Sequence, residues 1–191
     1  VDFDRTLTAP DSTIPQRNLE AIRYFMENGG AFTVNTGRSL GMFRKYLDIV
    51  PVSAPLLLYN GSAAYDTTTG DFAFCHTIKL DMAKTVRECL EEFPDMVVEI
   101  QGKDAHYAFR EDPLWEEYCN DCNCCGGIVS PDADLGPFVK LTLYGAFHEP
   151  TVSHLFRATP EEMDRCTEVE QALRRRYGEY VEVFRSGARI I

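Results

Sequence analysis

Basic residues are scarce in this chain: 19 Lys and Arg stand against 30 Asp and Glu in 191 residues, a formal net charge of -11. Nucleic-acid and anionic-membrane partners select for basic patches, so this balance argues against both. No apolar run reaches the roughly twenty residues of a membrane span, and the start lacks the regions of a signal peptide. Internal repeats and low-complexity tracts are missing too. The four histidines, His76, His106, His148 and His154, form neither H-E-x-x-H nor a partnership with Ser or Cys, and read as surface or core residues. Also lacking is a second C-x-x-C unit. Cys119 and Cys122 have zinc-knuckle spacing, but with Cys124 and Cys125 they crowd into one short stretch, which reads as a reduced helix end and loop instead of a metal site. An odd total of seven cysteines fits a reducing, cytoplasmic compartment better than a disulfide framework.

What is present concentrates at the start. Asp2 and Asp4 stand two positions apart behind Val1, and if Val1 ends a buried parallel strand, extended backbone aims both carboxylates to one side and Phe3 to the other. A carboxylate is a competent nucleophile toward phosphorus, which suits Asp2. A second carboxyl, Asp4, can protonate a departing alcohol and then deprotonate water. Two negative groups facing a phosphate require a divalent cation, and hard oxygen ligands favour Mg2+ held by Asp2 and Asp4. Taken alone, the pair is equally readable as an acidic turn capping a helix.

The segments that follow place those residues. Pro15, the apolar stripe Leu19, Ile22, Phe25 and Met26, and the stop Gly29-Gly30 predict a helix within 13–30. A strand over 31–35 leads to Thr36-Gly37-Arg38, a second helix over 39–50 carries Met42, Phe43, Leu47 and Ile49, and the apolar run 55–59 ends in Asn60-Gly61. Strand, helix, strand, helix, strand describes a parallel α/β sheet, and ligands bind such sheets outside the carboxyl ends of the strands. Asp2, Asp4, Thr36 and Asn60 are thus expected at one crevice. Thr36 offers a hydroxyl there, and Gly37 lets backbone N–H groups approach phosphate. Singly, Thr36 is equally a helix cap and Asn60-Gly61 a turn.

In this order and spacing, D-F-D-R-T-L-T, N-T-G-R and L-L-Y-N-G-S resemble the haloacid dehalogenase superfamily, most closely its Cof-like phosphatases with an α/β cap of type IIB. The resemblance covers roughly the first eighty residues. It implies a Rossmann-like parallel core with an inserted cap. It also implies Asp2 as nucleophile and first metal ligand, Asp4 as general acid/base whose carbonyl also binds Mg2+, and phosphate binding by Thr36, Gly37, Arg38 and Asn60. Arg5 stands where the family usually has Gly. Arg is tolerated there if its backbone torsions stay in ordinary regions, and its side chain is expected to point to solvent, with the crevice as the other possibility.

Only Val1 precedes Asp2, and the family's later lysine and acidic metal ligands have no counterpart before Ile191; the reading expects a chain truncated at both ends, with a partial core over 1–79 and a cap over 80–191. Neither Lys140, inside a strand pattern, nor Asp132 and Asp134, in a loop, replaces them. In the second half, a helix is expected over 81–93, strands over 97–101, 106–110 and 139–144, and a helix from Thr159 to Arg176, with 180–184 and 189–191 pairing across Ser186-Gly187. The expected function is Mg2+-dependent hydrolysis of a small phosphorylated metabolite through an aspartyl-phosphate. The alternatives are a phosphomutase and a catalytically incomplete module that binds a phosphorylated ligand.

Overall fold

The structure, a computed structural model, describes residues 1–145 and 157–191 and divides them into two compact units, Val1–His76 and Thr77–Ile191. The loop expected over 145–159, with Pro150, His148 and His154, lies almost wholly outside the described residues.

In the first unit, three extended segments run side by side in parallel. Asn35 bridges Asp2 on one side and Leu57 on the other, through Asn35 N to Val1 O at 2.8 Å, Leu57 N to Val34 O at 2.9 Å and Thr36 N to Leu57 O at 2.9 Å. Helix α1 (Gln16–Glu27) follows the first segment, capped at Pro15, and buries Leu19 and Ile22. Phe25, expected on that buried face, is half exposed instead, because its ring lies over Gly30, where a Cβ would come within 2.3 Å of it. The helix expected over 39–50 shortens to α2 (Leu40–Phe43) and a 3-10 turn, Arg44–Tyr46. Strand β1 (Leu56–Leu58) then starts an antiparallel sheet with β2 (Ala63–Asp66) and β3 (Asp71–Cys75), in the order β1-β2-β3.

The second unit is a four-stranded sheet in the order β6-β5-β4-β7. Its strands are β4 (Met96–Gln101), β5 (His106–Ala108), β6 (Cys125–Ile128) and β7 (Lys140–Gly145). Helices α3 (Met82–Glu92) and α5 (Pro160–Tyr177) lay Cys89, Cys166, Val169 and Leu173 in one core with Met96, Val98 and Leu143. Helix α4 (Pro113–Asp121) connects β5 to β6, which run parallel. Residues 180–184 form no strand; residues 189–191 pair with β7, Leu143 N to Ile191 O at 2.9 Å and Ile191 N to Leu143 O at 3.0 Å.

Two further side chains of β4, Glu99 and Gln101, are polar yet buried. Glu99 and Gln101 face Thr142 and Lys140 of β7 in register, and Gln101 faces His106 of β5. The Glu99 carboxylate accepts from Gln101 Nε2 at 2.7 Å, Trp115 Nε1 at 2.7 Å and Tyr144 Oη at 3.0 Å. Burial alone would push Glu99 up; His106 and these donors outweigh it and hold the carboxyl below its usual range. Burial would likewise push His106 down, but Glu99 and Cys124 raise it to about 9. The Cys119 thiol, hydrogen-bonded to Cys124, holds the latter below its usual range against its burial, with help from His106.

Candidate active site

The loop after the first segment carries both acids. Phe3 is wholly buried, its ring centroid 4.9 Å from that of Phe43 and 4.8 Å from that of Tyr46. That anchor fixes the alternation, leaving Asp2 exposed and Asp4 partly so. The turn closes through Thr8 N to Phe3 O at 3.0 Å and Arg5 N to Thr8 Oγ1 at 3.0 Å. Thr6 Oγ1 donates to Asp2 Oδ2 at 2.6 Å, so Asp2 is oriented by its own turn.

Arg5 does not meet the condition of ordinary backbone torsions. Its φ is 62° and ψ 6°, the left-handed region in which a Cβ crowds the following carbonyl and glycine is preferred. Its side chain is exposed, as expected.

Thr36 and Arg38 meet Asp4. Arg38 Nε lies 3.1 Å from each Asp4 carboxylate oxygen and Nη2 lies 2.7 Å from Oδ1. The Arg38 side chain is only 8% exposed, against 38% for Asp4. Its guanidinium carbon sits 5.3 Å from the Phe3 ring centroid and 5.4 Å from that of Tyr46, so the aromatic cluster that buries Phe3 also seats the cation. Thr36 Oγ1 donates to Asp4 Oδ2 at 3.4 Å and accepts from Arg38 N at 3.2 Å. Thr36 does not cap the next helix: Ser39 does, with its side chain accepting from Met42 N at 3.2 Å.

Asn60 reaches the same strand ends from β1. Its N–H donates to Thr36 O at 3.0 Å, and Tyr59 N donates to Arg38 O at 3.0 Å. Tyr59, Asn60 and Gly61 all have positive φ, 51°, 57° and 90°, a sharp reversal that turns Asn60 back toward Gly37. A Cβ on Gly37 would lie 2.5 Å from Asn60 Oδ1, so glycine is what lets that amide approach. The structure thus brings together Asp4, Thr36 and Arg38, sets Asn60 against Gly37, and holds Asp2 on the loop that carries Asp4.

Sequence reasoning missed Thr6, which orients Asp2, and the Phe3–Tyr46 seat of Arg38. Thr6 was findable as a hydroxyl four residues after an acid in a tight turn. The aromatic seat had no local signal, since Tyr46 lies some forty residues from Phe3.

The donor set offered to a cation is hard oxygen. The Asp4 carboxylate is occupied by Arg38, which leaves the Asp2 carboxylate and the Asp4 main-chain carbonyl. Among the described residues, no third acidic or histidine side chain stands with them. Two such donors fit Mg2+, which characteristically keeps several waters.

Comparison with known proteins gives consistent matches. A family model described as haloacid dehalogenase-like hydrolase matches residues 1–135. An uncharacterised hydrolase of Schizosaccharomyces pombe is 27% identical over 139 residues, covering 70% of this chain and 45% of that protein. Among solved structures, a haloacid dehalogenase-like hydrolase from Bacteroides thetaiotaomicron superposes with a TM-score of 0.71 at 17% identity, covering 99% of this chain and 67% of that one. A haloacid dehalogenase-like hydrolase from B. subtilis gives 0.66 at 17% identity, covering 93% and 65%. A subclass IIB sugar phosphatase gives 0.59 at 15% identity, covering 75% and 56%. The chain therefore spans less than half of the curated relative's length.

Proposed function

Since the chain belongs to the haloacid dehalogenase-like hydrolase family, we propose that it is a Mg2+-dependent phosphatase for a small phosphorylated metabolite, with Asp2 as the nucleophile. The observation that carries this reading is the junction at the ends of adjacent parallel segments. Asp4 is clamped by Arg38 and Thr36 while Asp2, on the same loop, stays exposed.

In the proposed reaction an Asp2 carboxylate oxygen bonds to phosphorus and the bond from phosphorus to the substrate's ester oxygen breaks. Asp4 supplies the proton that the departing alcohol takes up. Asp4 then accepts a proton from water, whose oxygen displaces the Asp2 oxygen and releases inorganic phosphate. Bound Mg2+, held by the Asp2 carboxylate and the Asp4 carbonyl, would neutralise charge between the phosphate and the two acids. Thr36 and the backbone at Gly37 orient phosphate oxygens, Asn60 borders them, and Arg38 fixes the direction of the Asp4 carboxyl. In the same reading residues 1–79 are a partial core and residues 80–191 a cap. The seven cysteines, none of them in a disulfide, support a reducing, cytoplasmic setting.

The test is phosphate release from a panel of sugar phosphates with Mg2+ present. Asp2→Asn should abolish release, and a chelator should do the same to the unaltered chain. Undiminished, metal-dependent release by Asp2→Asn would overturn the assignment.

A further inference from the structure

The second unit holds a cluster that the phosphatase reading does not use. His106, Cys119 and Cys124 are all buried, and a ligand atom from each lies within 4.8 Å of the others. From this geometry we propose that the unit binds one structural zinc ion between Cys119, Cys124 and His106, with Glu99 as the fourth donor.

The crossover from β5 through α4 to β6 makes the arrangement. His106 opens β5, Cys119 lies in the last turn of α4, and Cys124 directly precedes β6. Asn123, at φ 53°, turns the chain sharply between the two cysteines. Cys124 N then donates to Cys119 O at 3.0 Å, and His106 N donates to Cys124 O at 2.7 Å. The backbone thus returns both sulfurs to the histidine, 13 and 18 residues along the chain.

A tetrahedral zinc ion with two thiolates and an imidazole sets its ligand atoms roughly 3.5–3.8 Å apart, so the three side chains need close by no more than about an ångström. Glu99 stands on the remaining side, Oε2 3.8 Å from Cys119 Sγ and Oε1 3.5 Å from His106 Nδ1. Its carboxylate has about four acceptor positions: three are filled by Trp115, Tyr144 and Gln101, and the fourth takes the Cys119 thiol, a donor that becomes a zinc ligand when the metal binds. Those three donors fix the carboxylate in place, as the outer partners of metal ligands commonly do. A fully buried glutamate beside two buried cysteines is costly to keep in a core, and a cation gives that polar group a purpose. The protons that the cysteine thiols and the ligating His106 nitrogen hold leave to solvent as the metal bonds form, and nothing is oxidised or reduced.

The pairing differs from the zinc-knuckle spacing in the sequence. Cys122 follows the end of α4 and lies outside the group, as does Cys125. Thiolate and imidazole donors also select zinc over magnesium, so this site is independent of the phosphatase reading.

The test is titration of the full chain, reduced and freed of metal by a chelator, with Co2+ and then Zn2+. One equivalent of Co2+ should give thiolate-to-cobalt charge transfer in the near ultraviolet and the strong visible bands of a tetrahedral ion, and Zn2+ should bleach both. Cys124→Ser and His106→Gln should lose these bands, whereas Cys122→Ser, Cys125→Ser and Asp2→Asn should keep them. Absence of the bands in the unaltered chain overturns the proposal, and that result does not depend on how any variant folds. Survival of the full spectrum in Cys124→Ser, or its loss in a folded Cys122→Ser, also overturns it.

Discussion

At the scale of single residues, the candidate site is built from side chains that correct one another's positions. Arg38 holds Asp4, the Phe3 and Tyr46 rings hold Arg38, and Thr6 holds Asp2. Arg5 is ill suited to its backbone, with φ at 62°. An L-residue in the left-handed region costs about 1–2 kcal/mol, and the added freedom of glycine in the unfolded chain returns part of that. Arg5→Gly is therefore expected to raise stability by about 0.5 kcal/mol in urea denaturation, whereas Arg5→Ala, which keeps the Cβ, should bring no gain. The alternation of Val1, Asp2, Phe3 and Asp4 was legible because a period of two needs no partner to be read. The Asp4–Arg38 pair was not, since it joins residues 34 positions apart, and Arg38 was instead expected at phosphate. Nor does sequence spacing reveal a backbone torsion such as that of Arg5.

At the scale of elements, legibility follows burial pattern. The stripes of α3 and α5 and the apolar runs of β4 and β7 announced themselves because each presents one face to a shared core. Helix α4 and β6 did not, as β6 runs through Gly126-Gly127 and the helix covers a polar face of the sheet. Residues 180–184 show the opposite case. Val181 and Val183 pack into the core while Tyr180 and Phe184 are exposed, so the alternation is real, but among the described residues no neighbouring strand takes up its hydrogen bonds. Helix α5 begins with a capping box: Thr159 Oγ1 accepts from Glu162 N at 3.2 Å and Glu162 Oε2 accepts from Thr159 N at 2.8 Å. Thr159→Ala should cost about 1 kcal/mol, read as a lower urea midpoint with an unchanged slope.

At the scale of the whole molecule, pH acts through buried groups as well as through the charge of -11. Burial pushes the Cys89 thiol from 9.0 up to about 12. A raised value means the folded state keeps a proton that the unfolded chain has released, so this contribution is complete below pH 9 and is lost as pH climbs toward 12. Stability should fall on that limb with a slope approaching ~1.4 kcal/mol per pH unit from this group. Cys89→Ala should show a shallower alkaline decline in thermal midpoint than the unaltered chain, and an identical decline would remove Cys89 from the account. The same buried interior holds the chain's single tryptophan, Trp115, fully enclosed with its indole N–H on Glu99. Intrinsic tryptophan fluorescence therefore looks only at residues 77–191 and is blind to the unit that carries Asp2 and Asp4. A fluorescence melt of the intact chain is a clean reading of one unit, and laid over a far-ultraviolet dichroism melt it tells whether the two units come apart together or in turn.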